Sequence, residues 1–184
     1  MMSEDQKEAA LRARVASLQG HGQDESVLAT ALGELVDYYW EAGRHQGAEA
    51  PMLHRLELLQ RTHGPKHTAV AKCLHDLAFL YDILGRDAAV DGFASRAMAM
   101  WAEIDGYANG HTIRMLALLA RLYAKQGLHE KLTALLNTAI SRMEPVYPRG
   151  YYDHSLAKLA ELLDSNNRGV ELRGIAGRIR ALLG

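Results

Sequence analysis

The chain has 184 residues, 48% of them apolar, enough for one ordinary domain or a short repeat array with a continuous core and too many for a disordered chain. Its 21 Lys and Arg face 22 Asp and Glu, so a net charge of −1 lacks the surplus that draws proteins to nucleic acid or acidic membranes. A single cysteine excludes an internal disulfide and a cysteine-rich zinc site, and favours a reducing compartment.

The start, Met1 to Asp5, is polar and acidic, with no basic segment leading into an apolar stretch, so no secretory signal is expected. Residues 4–20 follow with Ala10, Leu11, Ala13, Val15 and Leu18 on a helical pattern, which predicts an N-terminal capping helix. The apolar stretch Met115 to Ala124 is interrupted by Arg121 and falls far short of the roughly 20 residues that span a bilayer. A soluble, cytoplasmic protein with no membrane insertion is the expectation.

From residue 24 onward the chain repeats. Gly43, Gly85 and Gly127 stand 42 residues apart, each ending a similar phrase: Leu35-Val36-Asp37-Tyr38-Tyr39-Trp40-Glu41-Ala42, Leu77-Ala78-Phe79-Leu80-Tyr81-Asp82-Ile83-Leu84, Leu119-Ala120-Arg121-Leu122-Tyr123-Ala124-Lys125-Gln126. Tyr39, Tyr81 and Tyr123 hold register. A weaker fourth copy has Leu159-Ala160, then Leu163 for the tyrosine and Asn167 for the glycine; Asn is the usual substitute where a helix ends left-handed.

Within a unit, Val70, Cys73, Leu74, Leu77, Ala78, Tyr81 and Leu84 recur at spacings of three and four, a first helix. A second stripe follows the glycine: Ala48, Met52, Leu56 and Leu59 in one unit, Val90, Phe93, Ala94, Ala97, Met98, Trp101 and Ile104 in the next. Gly64-Pro65 and the Gly106 to Gly110 stretch break the chain between units. The predicted organisation is a capping helix (4–20), three units (24–64, 65–106, 107–148) and a divergent fourth or C-terminal cap (149–184), which closes on Leu172, Ile175, Ile179 and Leu182. One helix pair cannot bury its own stripe, so the pairs must stack; the expected fold is an all-α solenoid of helix-turn-helix repeats in a single domain.

The Leu-Ala-x-Leu-Tyr-x-x-x-Gly phrase and the linker Gly64-Pro65-Lys66-His67-Thr68 resemble the tetratricopeptide repeat in its 42-residue kinesin-light-chain-like form. The third junction, Gly106 to Thr112, lacks the proline, and the small alanine of the second helix, present as Ala48, becomes Val90 and Leu132, which should loosen or shift the packing. The resemblance implies a right-handed superhelix whose concave groove, lined by the first helices, binds a peptide or a segment of another protein.

If Leu74, Leu77, Ala78 and Tyr81 face the core, the opposite face presents Lys72, His75, Asp76, Phe79, Asp82 and Ile83. The same positions are Thr30, Gly33, Glu34, Asp37, Trp40 and Glu41 one unit earlier, and Arg114, Ala117, Leu118, Arg121, Ala124 and Lys125 one unit later. The candidate site is therefore Asp37, Trp40, Glu41, Lys72, His75, Asp76, Phe79, Arg114, Arg121 and Lys125, acidic with a tryptophan at one end and basic at the other. A partner with an acidic stretch and a large apolar residue suits it. Where the family grips a peptide backbone with asparagines, this chain has Glu34, Asp76 and Leu118; the Lys-Asn-Asn-Lys-Arg set that clasps chaperone carboxylates is missing from the groove positions, which argues against chaperone tails.

Nine histidines raise metal and catalytic readings. His63 and His67 are four apart, but Gly64-Pro65 between them should cost the helical convergence a metal needs. Cys73 and His75, two apart on one helix, point to different faces and cannot form a nucleophile–base pair; Cys73 reads as a small core residue. No phosphate loop, Ser-His-Asp order or paired-carboxylate motif is present, so neither catalysis, a metal nor a cofactor is expected. The loop Tyr147-Pro148-Arg149-Gly150-Tyr151-Tyr152 fits two roles equally, folding back over the stack or touching a partner. The leading function is a protein-binding scaffold or adaptor. The alternative is a self-associating module, pairing end to end as a homo-oligomer, or a regulatory subunit of a larger complex.

Overall fold

The computed structural model describes residues 3–19, 24–147, 153–165 and 170–184; these are all-α, with nine helices among them and no strand. They are α1 (Glu4–Leu18), α2 (Glu25–Glu41), α3 (His45–His63), α4 (Thr68–Ile83), α5 (Asp87–Asp105), α6 (Gly110–Gln126), α7 (His129–Met143), α8 (His154–Ser165) and α9 (Val170–Leu183). The chain divides into two compact units, residues 1–89 and 90–184.

In the first unit α1 packs on α2, α2 on α3 and α3 on α4. The core follows the 3–4 spacing: Leu28, Leu32, Leu35 and Tyr39 of α2, Ala48, Met52, Leu56 and Leu59 of α3, and Val70, Leu74, Leu77 and Tyr81 of α4 are buried. Helix α1 departs from its predicted stripe. Only Val15 is buried, while Ala10 and Ala13 are exposed. What holds α1 is polar: Arg14 pairs with Glu34, Lys7 with Glu41, and the Tyr38 hydroxyl donates to the Glu4 carbonyl at 3.0 Å.

In the second unit α6 packs against α7 and α8, and α9 against α7 and α8. Leu116, Leu119, Leu136, Ile140, Leu159 and Ile179 form its core. Val90 and Leu132, expected to disturb packing in place of the alanine, are as buried as Ala48 is in the first unit. Of the predicted α5 stripe, Ile104 is exposed and Phe93 half-buried. Arg178 of α9 forks onto the Glu144 carboxylate (2.7 and 2.9 Å) and also donates to Asn137 and Ser141, fastening α9 to the end of α7. Tyr147 is buried; residues 148–152 and Asn167 lie outside the described residues.

The three periodic glycines share one backbone conformation, with φ of +66°, +69° and +71° at Gly43, Gly85 and Gly127. This left-handed turn lets the chain reverse within a few residues, and a Cβ there is strained. The starts of α2, α4 and α8 are capped by side chains, whereas α3 and α7 have no side-chain cap. Asp24 accepts from the Ser26 N–H (2.8 Å), His67 Nδ1 from Ala69 (3.1 Å), and Asp153 from Ser155 and Leu156. At the third junction, where proline is missing, Asn109 accepts from His111 and Thr112 (both 2.9 Å) and donates to the Gly106 and Trp101 carbonyls. Gly110 lies inside the helix rather than in the break.

Each register tyrosine carries a clip that periodicity did not reveal. The Tyr39 hydroxyl donates to Glu8 (2.9 Å), Tyr81 to Glu49 (2.9 Å) and Tyr123 to Asp91, and in each case a cation completes the set: Arg44 on Glu8, Arg86 on Glu49, Lys131 on Asp91. The carboxylate precedes its tyrosine by 31, 32 and 32 residues. Burial, then the carboxylate hydrogen bond, pushes the Tyr81 and Tyr123 phenols upward; burial would raise Asp91, but donation from Lys131 and Tyr123 leaves it lowered.

Candidate functional site

Helices α2 and α4 bring Asp37, Trp40, Lys72, Asp76 and Phe79 to one cleft of about 470 Å³ in the first unit, with Val36, Ile83 and Arg55 completing its lining. Burial of the opposite faces of α2 and α4 turns these side chains outward together. Trp40 and Phe79 are half-buried, Asp37 and Lys72 exposed, and Ile83 is half exposed at 50%. Apolar surface and four charged groups thus share one concave face.

The other predicted residues divide. Glu41 is exposed and forms its ion pair with Lys7 of α1 at 3.6 Å; it does not line the cleft. His75 is buried rather than groove-exposed: its ring packs 5.0 Å from Phe79 and its Nδ1 lies 3.2 Å from Asp76 Oδ1, so it supports two lining residues from beneath. Arg114, Arg121 and Lys125 belong to the second unit, exposed on one stripe of α6. Of the positions where the family has asparagine, Glu34 pairs with Arg14, Asp76 faces the cleft, and Leu118 is buried.

Among the lining residues the sequence reading missed Val36 of α2 and Arg55 of α3, of which Arg55 alone is charged. It reaches the cleft past Gly33 of α2, where an added Cβ would stand 3.3 Å from the guanidinium carbon. A glycine inside a helix costs up to about 1 kcal/mol relative to alanine, so its presence at mid-α2 was the available signal.

The histidine pair differs from expectation. Despite the Gly64-Pro65 break, the His63 and His67 rings lie 4.5 Å apart, but His63 Nδ1 sits at 2.6 Å from the Thr62 hydroxyl and His67 Nδ1 caps α4. No group of three or more metal-ligating side chains occurs among the described residues. Cys73 is buried, its thiol 3.6 Å from the Met52 carbonyl and pushed up to about 11 by burial. No helix among the described residues is long and apolar enough to cross a membrane.

The tetratricopeptide repeat family matches residues 27–103, which span α2 to most of α5. These residues are tetratricopeptide repeats. Solved structures place nearly the whole chain in the same fold. A protein of Podosopora anserina, described as a kinesin light chain with nearly identical TPR-like repeats, superposes with a TM-score of 0.73 at 18% identity, covering 97% of this chain and 86% of that one. A point variant of that protein gives 0.74. BtubC (BKLC) from P. vanneervenii gives 0.66 at 16% identity, covering 98% and 70%. No curated protein sequence matches the chain. The chain thus shares its fold with these kinesin-light-chain-like structures, and the tetratricopeptide repeat generally mediates protein–protein interaction.

Proposed function

We propose that this tetratricopeptide repeat protein is a non-catalytic scaffold or adaptor that holds a segment of a partner protein in the α2–α4 cleft. The observation that carries this is the convergence of Asp37, Trp40, Lys72, Asp76 and Phe79, five residues from two repeats, on one cleft. Trp40, Phe79 and Ile83 offer apolar area for a large side chain of the partner, the kind of half-buried anchor on which interfaces concentrate their energy. Lys72 and Arg55 beside them favour an acidic residue in the same segment.

The test is capture of partners on immobilised protein, wild type against Trp40→Ala/Lys72→Glu, followed by mapping of the retained protein with overlapping peptides. A partner lost from the variant and reduced to one short segment is the expected result. Equal retention by both proteins would move binding away from this cleft.

A further inference from the structure

The start of α4 is capped by a histidine, where α2, α6 and α8 use an acid or an amide. His67 Nδ1 accepts the Ala69 N–H at 3.1 Å; Asp24, Asn109 and Asp153 do the same work for the other three helices. An imidazole nitrogen accepts only while it holds no proton, so this bond fixes the neutral ring with its hydrogen on Nε2. Carboxylates ordinarily gain their protons well below neutrality and amides gain none, whereas imidazole changes charge between about pH 5 and 8. Of these four caps, that of α4 alone is one a proton can cancel near neutral pH. The His67 side chain is exposed, so water delivers the proton without any opening of the fold.

We propose that His67 is a proton-operated cap: the first turn of α4 is held at neutral pH and released in mild acid, which loosens the α3–α4 joint between the first two repeats. The surroundings favour release once the proton is on. A protonated imidazole has two donors and no acceptor, and here it faces a helix end whose unpaired N–H groups and dipole are positive. The first turn of α4 has no acidic residue to hold the new charge. The charged and titratable groups of the adjoining elements are Arg61 and His63 on α3, Lys66 in the linker and Glu25 on α2. Glu25 is engaged by Arg61 at 2.8 Å, and the His63 ring lies 4.5 Å from that of His67, so a second imidazolium there adds repulsion of like sign. The joint feels the change because Val70 and Ala71, in the same turn, are fully buried. The sign follows: the contribution of the cap is complete above the imidazole range and is lost as pH falls through it.

The experiment compares the wild type with His67→Asn, which caps without titrating, His67→Ala, which cannot cap, and His63→Gln, each first shown to keep its far-UV circular dichroism. Hydrogen exchange of the Ala69 amide, expressed as protection relative to the unfolded chain at the same pH, is read at about pH 7.5 and about pH 5.5, on either side of the imidazole range. Wild-type protection should match that of His67→Asn at the higher pH and fall about fivefold, to the level of His67→Ala, at the lower, while His67→Asn holds its value. The Ser26 amide, capped by Asp24, should keep its protection at both. His63→Gln should retain the acid loss, because the cap belongs to His67. A wild type that parallels His67→Asn at both pH values overturns the proposal. So does a pH effect that disappears in His63→Gln, which would assign it to repulsion between the rings, or equal Ala69 protection in His67→Ala and wild type at the higher pH. Should His67→Ala fail to fold, the comparison of wild type with His67→Asn decides alone.

Discussion

Replacing Tyr123 with phenylalanine keeps its buried ring and removes only the hydroxyl that donates to Asp91. The expected cost is about 1 kcal/mol, read as a lowered urea midpoint at unchanged slope. The pH dependence has two limbs of opposite sign. Asp91 is lowered in the folded protein, so its contribution is complete above the ordinary carboxylate value near 4 and is lost as pH falls through its folded value. Tyr123 is raised, so its contribution is complete below the ordinary phenol value near 10 and is lost as pH rises through its folded value. Stability of Tyr123→Phe measured from pH 8 to 11 should therefore decline less steeply than that of the wild type. Gly47 makes a different test, because a Cβ there would stand 2.7 Å from the Tyr39 ring. Gly47→Ala forces Tyr39 off its clip, and a loss of about 1–3 kcal/mol is expected in the same urea experiment.

Helix boundaries were largely legible because breakers and periodicity agree. The repeated glycines mark left-handed turns, and the C-terminal Leu172, Ile175 and Ile179 are buried as their spacing required. Polar devices were not legible. A tyrosine that holds register looks apolar in a pattern, and only coordinates join it to a carboxylate 32 residues earlier. Helix α1 was misjudged for the same reason, since ion pairs and a hydroxyl hold it where a hydrophobic stripe was expected. The cleft was half legible: facing residues of two first helices followed from the repeat, whereas Arg55 comes from a second helix and His75 turned inward. At the third junction, Asn109 caps α6 at the repeat position that His67 holds before α4. Asn109→Ala removes acceptors for two N–H groups and should cost about 1–2 kcal/mol, with earlier amide exchange confined to the first turn of α6.

The whole chain carries a net charge of −1 and an isoelectric point near 6.8, so its own charge gives little repulsion at neutral pH. Light scattering should give a second virial coefficient at its minimum close to that pH, rising on either side. A coefficient that falls steadily from pH 8 to 6 without a minimum would mean that a specific contact, rather than mean charge, governs association. The fold was readable at this scale because a 42-residue period runs through three successive units, whereas a partner is recognised by a handful of side chains.

The spacing of the tyrosine clips bears on how the protein is made. Every clip joins residues 31 or 32 apart, and the Arg178 fork reaches back 34 residues to Glu144, so these fastenings close soon after their second partner is synthesised. Such short loops are entropically easy to close. A nascent chain leaving the ribosome can thus secure Glu8 to Tyr39 before Tyr81 has been translated, and Glu49 to Tyr81 before Tyr123 exists. These fastenings therefore permit assembly in the direction of translation, each repeat stacking on the one before it.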